Sequence, residues 1–229
     1  VVSGLLFVLI VLFAGGVAVG SIVLKRKRRD DLEAFAQRFQ LSYSRDDPYG
    51  LLDHPFRLFS KGDGRGCENV LAGTWQGLAL KEADYWYYDR STDSKGQTSR
   101  TYHHFSVLLV DLALRAPYVS VERENLLTIV ADHLGLKDID FESEAFNRRF
   151  NVKSADREFA FKLIDARMER FLLDTGGAFA FEFAGTSLLV TCHRLAPTEL
   201  VPLFGSAKGF VDRIPRLVWN EYGTEVEGT

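Results

Sequence analysis

The polar and apolar positions along this chain change character several times, and each change marks an element. Val1 to Leu24 carries no charge at all, and Lys25-Arg26-Lys27-Arg28-Arg29 follows it directly. At about 1.5 Å per residue the uncharged segment spans about 36 Å, enough for a hydrocarbon core of about 30 Å, so a transmembrane helix is predicted over 1–24. No basic residue precedes it, and the cationic run behind it has the form of a stop-transfer signal rather than a cleaved leader. Gly16 to Gly20 also matches the GxxxG spacing of close-packed membrane helices, a spacing that the abundance of glycine in such helices produces on its own. Leu32, Phe35, Ala36 and Phe39 then recur at helical spacing behind Asp30 or Asp31 as a cap, which predicts a connecting helix to about Gln40.

Residues 42–66 are rich in turn formers and predict at most short strands near 51–52 and 56–60. From Cys67 the period becomes that of strands. Cys67–Thr74 and Leu78–Tyr88 flank a glycine-containing turn and read as a hairpin. The hydrophilic stretch Asp89–Arg100 reads as a long exposed loop. Tyr102–Leu112 is apolar on both faces in its middle, as a central strand must be, and Tyr118–Glu122 reads as a further short strand. Leu126, Leu127, Val130 and Leu134 then define a helix that Gly135 ends. Ser143 caps a short turn through Phe146, which with Phe150 should anchor the second half of the core, and Phe150–Val152 reads as a strand. Ser154 caps a longer helix with the inward stripe Ala160, Leu163, Ile164, Met168, Phe171 and Leu172, broken at Gly176-Gly177. Phe179–Phe183 and Leu188–Cys192 read as a second hairpin, and Pro197 opens a last helix.

Elements clustered in this way, rather than alternating, predict an α+β fold with a mainly antiparallel sheet and packed helices behind one N-terminal transmembrane helix. The expected organisation is a membrane segment at 1–24, a basic juxtamembrane segment with connecting helix at 25–40, an α+β domain at 41–219 and a polar tail at 220–229. The domain has room for two lobes, 41–122 and 123–219.

Charge sharpens this picture. The whole chain has 28 basic and 31 acidic residues. With Lys25, Arg26, Lys27, Arg28 and Arg29 set aside, residues 30–229 hold 23 basic against 31 acidic, a formal net charge of −8. Such a domain lacks the basic footprint of a nucleic-acid binder. Positive charge is retained on the cytoplasmic side, so the five cations predict a single-pass plasma-membrane protein with its N terminus outside and its domain in the cytoplasm. They also attract anionic lipid at about 1 kcal/mol each. The first residue is Val rather than Met, which leaves open residues upstream.

Four strings, ENVLAGTWQG at 68–77, FESEAFNRRFNVKSAD at 141–156, ARMERFLL at 166–173 and IPRLVW at 214–219, resemble an uncharacterised, mostly actinobacterial family of membrane-anchored proteins grouped as a domain of unknown function. The resemblance covers about residues 67–219, and ESExFNxxFxVxSxD is its most specific part. It implies a membrane-tethered globular domain and assigns no catalytic residues.

Candidate chemistry is sparse. Glu142, Glu144, Arg148, Arg149 and Asp156 form the densest polar cluster; such carboxylates could bind a cation or serve as acid and base, or simply cap helices and neutralise their neighbours. His103-His104 point to opposite faces of a strand and cannot chelate one metal side by side. Cys192-His193 has the same difficulty as a nucleophile and base. Cys67 and Cys192 lie in no CxxC motif and are expected as thiols in a reducing compartment. Gly62-Asp63-Gly64-Arg65-Gly66 lacks the spacing of a phosphate loop. Tyr85-Trp86-Tyr87-Tyr88 places two aromatics on each sheet face, one pair for the core and the other for the core or for a ligand, a partner or the membrane interface. No metal site, cofactor or catalytic residue is assigned. The reading is a membrane-anchored, non-catalytic adaptor, accessory subunit or binding module, with membrane lipids and a membrane-protein partner or a second copy as its contacts. The alternative is a membrane-tethered hydrolase or metal-dependent enzyme built on Glu142, Glu144 and Asp156.

Overall fold

A computed structural model describes the backbone of residues 2–123 and 136–224, and the side chains from Gly20 onward within them apart from Ser21 and Lys137. The helix predicted from Leu126 to Leu134 lies outside the described residues. The first element, α1 (Val2–Phe39), is one unbroken helix. The basic run therefore continues the helix instead of separating two, and neither Asp30 nor Asp31 starts a new one. Among the described residues no helix is long and apolar enough to cross a membrane; the span expected over 1–24 depends on side chains that lie largely outside them.

Among the described residues seven antiparallel strands follow: β1 (Ser42–Asp46), β2 (Gly64–Trp75), β3 (Leu78–Thr92), β4 (Thr98–Glu122), β5 (Lys137–Asp138), β6 (Asn151–Ser154) and β7 (Ala180–His193). Their order is β1-β2-β3-β4-β6-β5, with β7 paired to β4 as well. β4 is the spine. Its first half lies between β3 and β7 and its second half between β6 and β7, which is why Phe105–Val110 is buried on both faces. The first hairpin forms as expected, with Gln76 (φ 48°) and Gly77 (φ 79°) in the left-handed conformations of a two-residue turn.

Several expectations need correction. The Asp89–Arg100 stretch is not a loop: β3 and β4 pair out to Thr92↔Thr98. Only Asp93–Gln97 turns, with Asp93 Oδ1 accepting from the amides of Lys95 and Gln97 at 2.9 and 2.8 Å. Its hydrophilicity reflects a ribbon exposed on both faces, and Thr92, Thr98 and Thr101 are β-branched residues suited to an extended strand. Tyr118–Glu122 is not separate but completes β4. The second hairpin is a single strand, β7, in which Gly185 (φ 60°) sits where the register against β4 shifts; a left-handed glycine serves a bulge as well as a turn. The strand in the turn-rich segment is β1, whereas 51–53 and 57–60 form single 3₁₀ turns.

The helices are α2 (Glu144–Asn147), α3 (Arg157–Leu163), α4 (Ala166–Asp174), α5 (Leu200–Val211) and α6 (Arg216–Tyr222). Ser143 caps α2 as expected, accepting from Phe146 N. The long helix behind Ser154 is two helices. Asp156 caps α3, and Asp165 accepts from Arg167 N and Met168 N at 3.0 and 2.9 Å to start α4. A short acid that bonds the backbone ahead of it stops one helix and starts another. The apolar stripe survives the break: Ala160, Leu163, Ile164, Met168 and Leu172 are all buried.

The main core lies between one face of the sheet and the helices, and it joins residues from both halves of the chain, from Leu32 and Leu71 to Phe146, Phe204 and Val218. Phe146 and Phe150 stack within it at 5.1 Å. A smaller core on the opposite face packs Leu51, Phe56, Leu58 and Phe59 against Tyr85, Tyr87 and Phe105.

Candidate functional site

The helical period places the foot of α1 against the sheet. Leu32, Phe35 and Ala36 are buried, and Arg28, Arg29 and Lys25 continue the same stripe one to two turns towards the N terminus. The five basic residues are therefore not equivalent. Lys25, Arg28 and Arg29 face the sheet and line a pocket of about 430 Å³. Lys27 lines a separate groove between α1 and the start of α5, next to Asp31 and Val201, and Arg26 is exposed.

Arg28, one of the five cations of the basic run, is bound into the sheet. Its Nε donates to Asp84 Oδ2 at 2.7 Å, one guanidinium nitrogen pairs with Asp84 Oδ1, and the other donates to the Leu195 carbonyl at 2.8 Å. Asn69 Nδ2 donates to the same carboxylate at 2.9 Å, and Tyr43 OH donates to Asn69 Oδ1 at 2.8 Å. Arg194 Nε lies 3.6 Å from Asp84 Oδ1. Two residues along the same strand face, Glu82 is 1% exposed. Among the described residues its oxygens make no hydrogen bond of ordinary geometry, and the Ser106 side chain is the polar group that interacts with it. Burial, and then the charge of Asp84, push its carboxyl well above the usual carboxylate range, which favours the protonated form.

Beyond Asp84 this sheet face turns aromatic. Trp86 and Tyr88 point outward while Tyr85 and Tyr87 are buried on the other side, the alternation expected of the four consecutive aromatics. Tyr102 lies 5.9 Å from Trp86 and 5.3 Å from Tyr88, centroid to centroid, and His104 stacks on Tyr102 at 6.2 Å. Strand β2 supplies Gly66 opposite Trp86 and Gly64 opposite Tyr88. A Cβ there would come within 2.8 Å and 2.5 Å of the two rings, so only glycine lets them lie flat across the neighbouring strand. Trp86, Tyr102 and His104 form the floor of the pocket, with Arg194 and Glu68 at its sides. Burial, and then Arg194, lower the pKa of His104.

The cluster of Glu142, Glu144, Arg148, Arg149 and Asp156 is not gathered into a site. Glu144 and Arg148 pair at 3.5 Å with side chains 88% and 73% exposed, Asp156 is spent on capping α3, and Arg148 and Arg149 line a shallow groove beside Asp138 and Asp140. Among the described residues no group of three or more His, Cys, Asp or Glu could hold a metal ion. His103 lies on the face opposite His104, 3.1 Å from Asp89. Cys67 and Cys192 are free thiols, each pushed up to about 12 by burial.

A second set of buried acids escaped the sequence reading. On the face opposite α1, Glu182 Oε1 accepts from Arg57 N at 2.7 Å, and burial lifts its carboxyl to about 7. Burial also raises Glu122 beside it, against the pull of Lys61 and Lys153. The signal in the sequence was an acid inside an otherwise apolar strand, one in Phe179-Ala-Phe-Glu182-Phe and two in Leu78-Ala-Leu-Lys-Glu82-Ala-Asp84-Tyr.

These features define an α+β domain with helices over a mainly antiparallel sheet and a cationic, aromatic-floored pocket where α1 meets it. No protein-family model matches the sequence, and no curated protein matches it. The fold is similar to the crystal structure of the mycobacterial trehalose monomycolate transport factor A, with a TM-score of 0.60, 15% sequence identity, and coverage of 83% of this chain and 97% of that one. At that identity the likeness speaks for the fold.

Proposed function

We propose that this chain is a membrane-anchored accessory factor without catalytic activity of its own, its domain on the cytoplasmic side, where it assists a membrane protein in moving a membrane or envelope component. The observation that carries this reading is α1. The helix that begins in the uncharged segment runs without a break to Phe39, and it is fastened to the sheet by Leu32, Phe35, Ala36 and the Arg28–Asp84 pair. A tether with no flexible joint holds the domain at a fixed height and orientation over the bilayer. That suits a subunit presenting one surface to a neighbour. The fold neighbour is itself named as a transport factor, which favours a transport-assisting role over other accessory roles.

The test uses the full chain carrying Ser94→Cys in the Asp93–Gln97 turn, compared with the parent chain. The new thiol should stay unlabelled by an impermeant reagent in intact cells and react after lysis. Purification in mild detergent should yield the chain in fixed stoichiometry with a membrane transporter. Labelling in intact cells overturns the orientation. Recovery of the chain alone, or with turnover of a hydrolase substrate that Glu144→Gln abolishes, overturns the accessory role.

A further inference from the structure

We propose that the pocket at the foot of α1 is a binding site for the anionic headgroup of a membrane phospholipid, its phosphate held among Lys25, Arg29 and Arg194 and its acyl chains lying along the helix at Ile22–Leu24. The proposal rests on the anchored reading and names the ligand of that same juxtamembrane site.

Four observations converge. The first is position. Ile22, Val23 and Leu24, the last apolar residues before the basic run, are 65%, 58% and 69% exposed, and Lys25, immediately after them, already lines the pocket. Apolar surface, then cations and aromatic rings, is the order in which a protein meets hydrocarbon, interface and water. The second is charge. Lys25, Arg28, Arg29 and Arg194 converge on the site, and only Asp84 and Glu68 oppose them. Glu82 adds no negative charge while it holds its proton. The Arg28–Asp84 pair neutralises itself, so the site keeps a positive excess on a domain that is otherwise net acidic. An anion is the complementary ligand.

The third is shape. A space of about 430 Å³ falls within the range of small-ligand sites, and its floor is a prearranged aromatic platform rather than mobile side chains. Gly66 lets Trp86 lie flat, Tyr102 and His104 complete the floor, and Tyr88 packs behind Tyr102 outside the pocket. Such a platform takes the glycerol and carbon edge of a headgroup while leaving its phosphate to the cations. The fourth is His104, which lies on the pocket floor and whose pKa is lowered by burial and then by Arg194. A phosphate entering the pocket would favour the charged imidazole, which makes His104 a reporter of occupancy.

The experiment places the full chain in nanodiscs of phosphatidylcholine alone or of phosphatidylcholine with a minority of phosphatidylglycerol. The chain is then extracted in mild detergent, and retained phosphatidylglycerol is measured by native mass spectrometry. The wild type should retain it. Arg29→Gln with Arg194→Gln removes two cations of about 1 kcal/mol each, so the apparent affinity should fall about 30-fold. Trp86→Ala should also lower retention, with Trp86→Phe preserving it and serving if the alanine variant does not fold. Arg26→Gln with Lys27→Gln removes the same charge from the helix faces turned away from the pocket and should cost much less. In the phosphatidylglycerol discs the His104 imidazole should titrate at higher pH than in phosphatidylcholine alone.

Equal losses in the two double variants, with Trp86→Ala unchanged, refute a built site in favour of diffuse attraction. If inorganic phosphate shifts His104 in phosphatidylcholine discs and displaces phosphatidylglycerol, the ligand is a soluble phosphate and the lipid assignment fails. Failure of the chain to enter discs of either composition refutes the anchor and the lipid site together, whereas entry without any preference for phosphatidylglycerol refutes the lipid site alone.

Discussion

Two regions of this protein are dense in acids and bases, and they behave in opposite ways. Around α2, Glu142, Glu144, Arg148, Arg149 and Asp156 fall within fifteen positions of sequence, yet the structure leaves Glu142 exposed and disperses the others to a helix cap, an exposed ion pair and a groove. At the foot of α1, Arg28 and Asp84 are 56 residues apart in sequence and meet in a buried, multiply hydrogen-bonded pair that Asn69, Tyr43 and Arg194 surround. Charges crowded in sequence are crowded because water accepts them there. A single charge on an apolar strand survives only if the fold brings it a partner or keeps it neutral. Asp84 shows the first outcome, and Glu82, two residues away, is biased by burial towards the second.

The sharpest way to break this comparison is Arg28→Ala. It leaves the Asp84 carboxylate buried with Asn69 and a more distant Arg194 as its remaining partners. Loss of one member of a buried pair costs 3–5 kcal/mol in general, and the residual partners place this case at the lower end, about 3 kcal/mol. Thermal or denaturant unfolding of the full chain in detergent checks the value. A loss below about 1 kcal/mol would put the α1 junction in the same class as surface ion pairs and end the contrast.

A second test extends the comparison to the other lone acid, Glu182. Its carboxyl titrates at about 7 in the folded chain against an ordinary value of 4.5. Between those values the native state keeps a proton that the unfolded state has released, so this group makes stability fall as pH rises through that window and level off above it. The shift corresponds to about 3 kcal/mol between pH 4.5 and 7. Glu122 and Glu82 are shifted in the same direction, so the quantity to measure is the difference between wild type and Glu182→Gln, which retains the acceptor for Arg57 N. The variant should gain on the wild type as pH rises from 5 to 8. Parallel stability curves for the two would show that Glu182 is ionised in the fold.

How much of this was legible beforehand follows the same division. Periodicity located the connecting face of α1, the first hairpin, the central strand β4, the Ser143 cap and the outward pair Trp86 and Tyr88, because each is set by residues close in sequence. Partner-dependent features were not legible. Gly185 reads alike as a hairpin turn or a strand bulge, and pairing with β4 decides between them. The threonine-rich ribbon of β3 and β4 has no buried face to give it an apolar period. In the candidate pocket the cations and aromatics were visible, but not that α1 would lay one set over the other. Nor did anything local distinguish Arg28 from Arg26, although they differ by half a helical turn and therefore by an entire environment.

The smallest expected effect belongs to Arg148, and its smallness is informative. Arg148 and Glu144 form an i,i+4 pair at 3.5 Å, both largely in water, on a helix of only four residues. The pair is solvent-screened and must immobilise two long side chains, and exposed pairs of this kind contribute about 0.3–0.5 kcal/mol. Arg148 also lines the groove beside Asp138 and Asp140. Arg148→Ala should therefore move the unfolding midpoint hardly at all and leave the retained lipid unchanged. Because Phe146 and Phe150 on either side are buried and stacked, a large loss on Arg148→Ala would mean that the arginine orders that junction through its aliphatic stem. In that case charge crowded in sequence would be structural here too, and the distinction between the two regions would collapse.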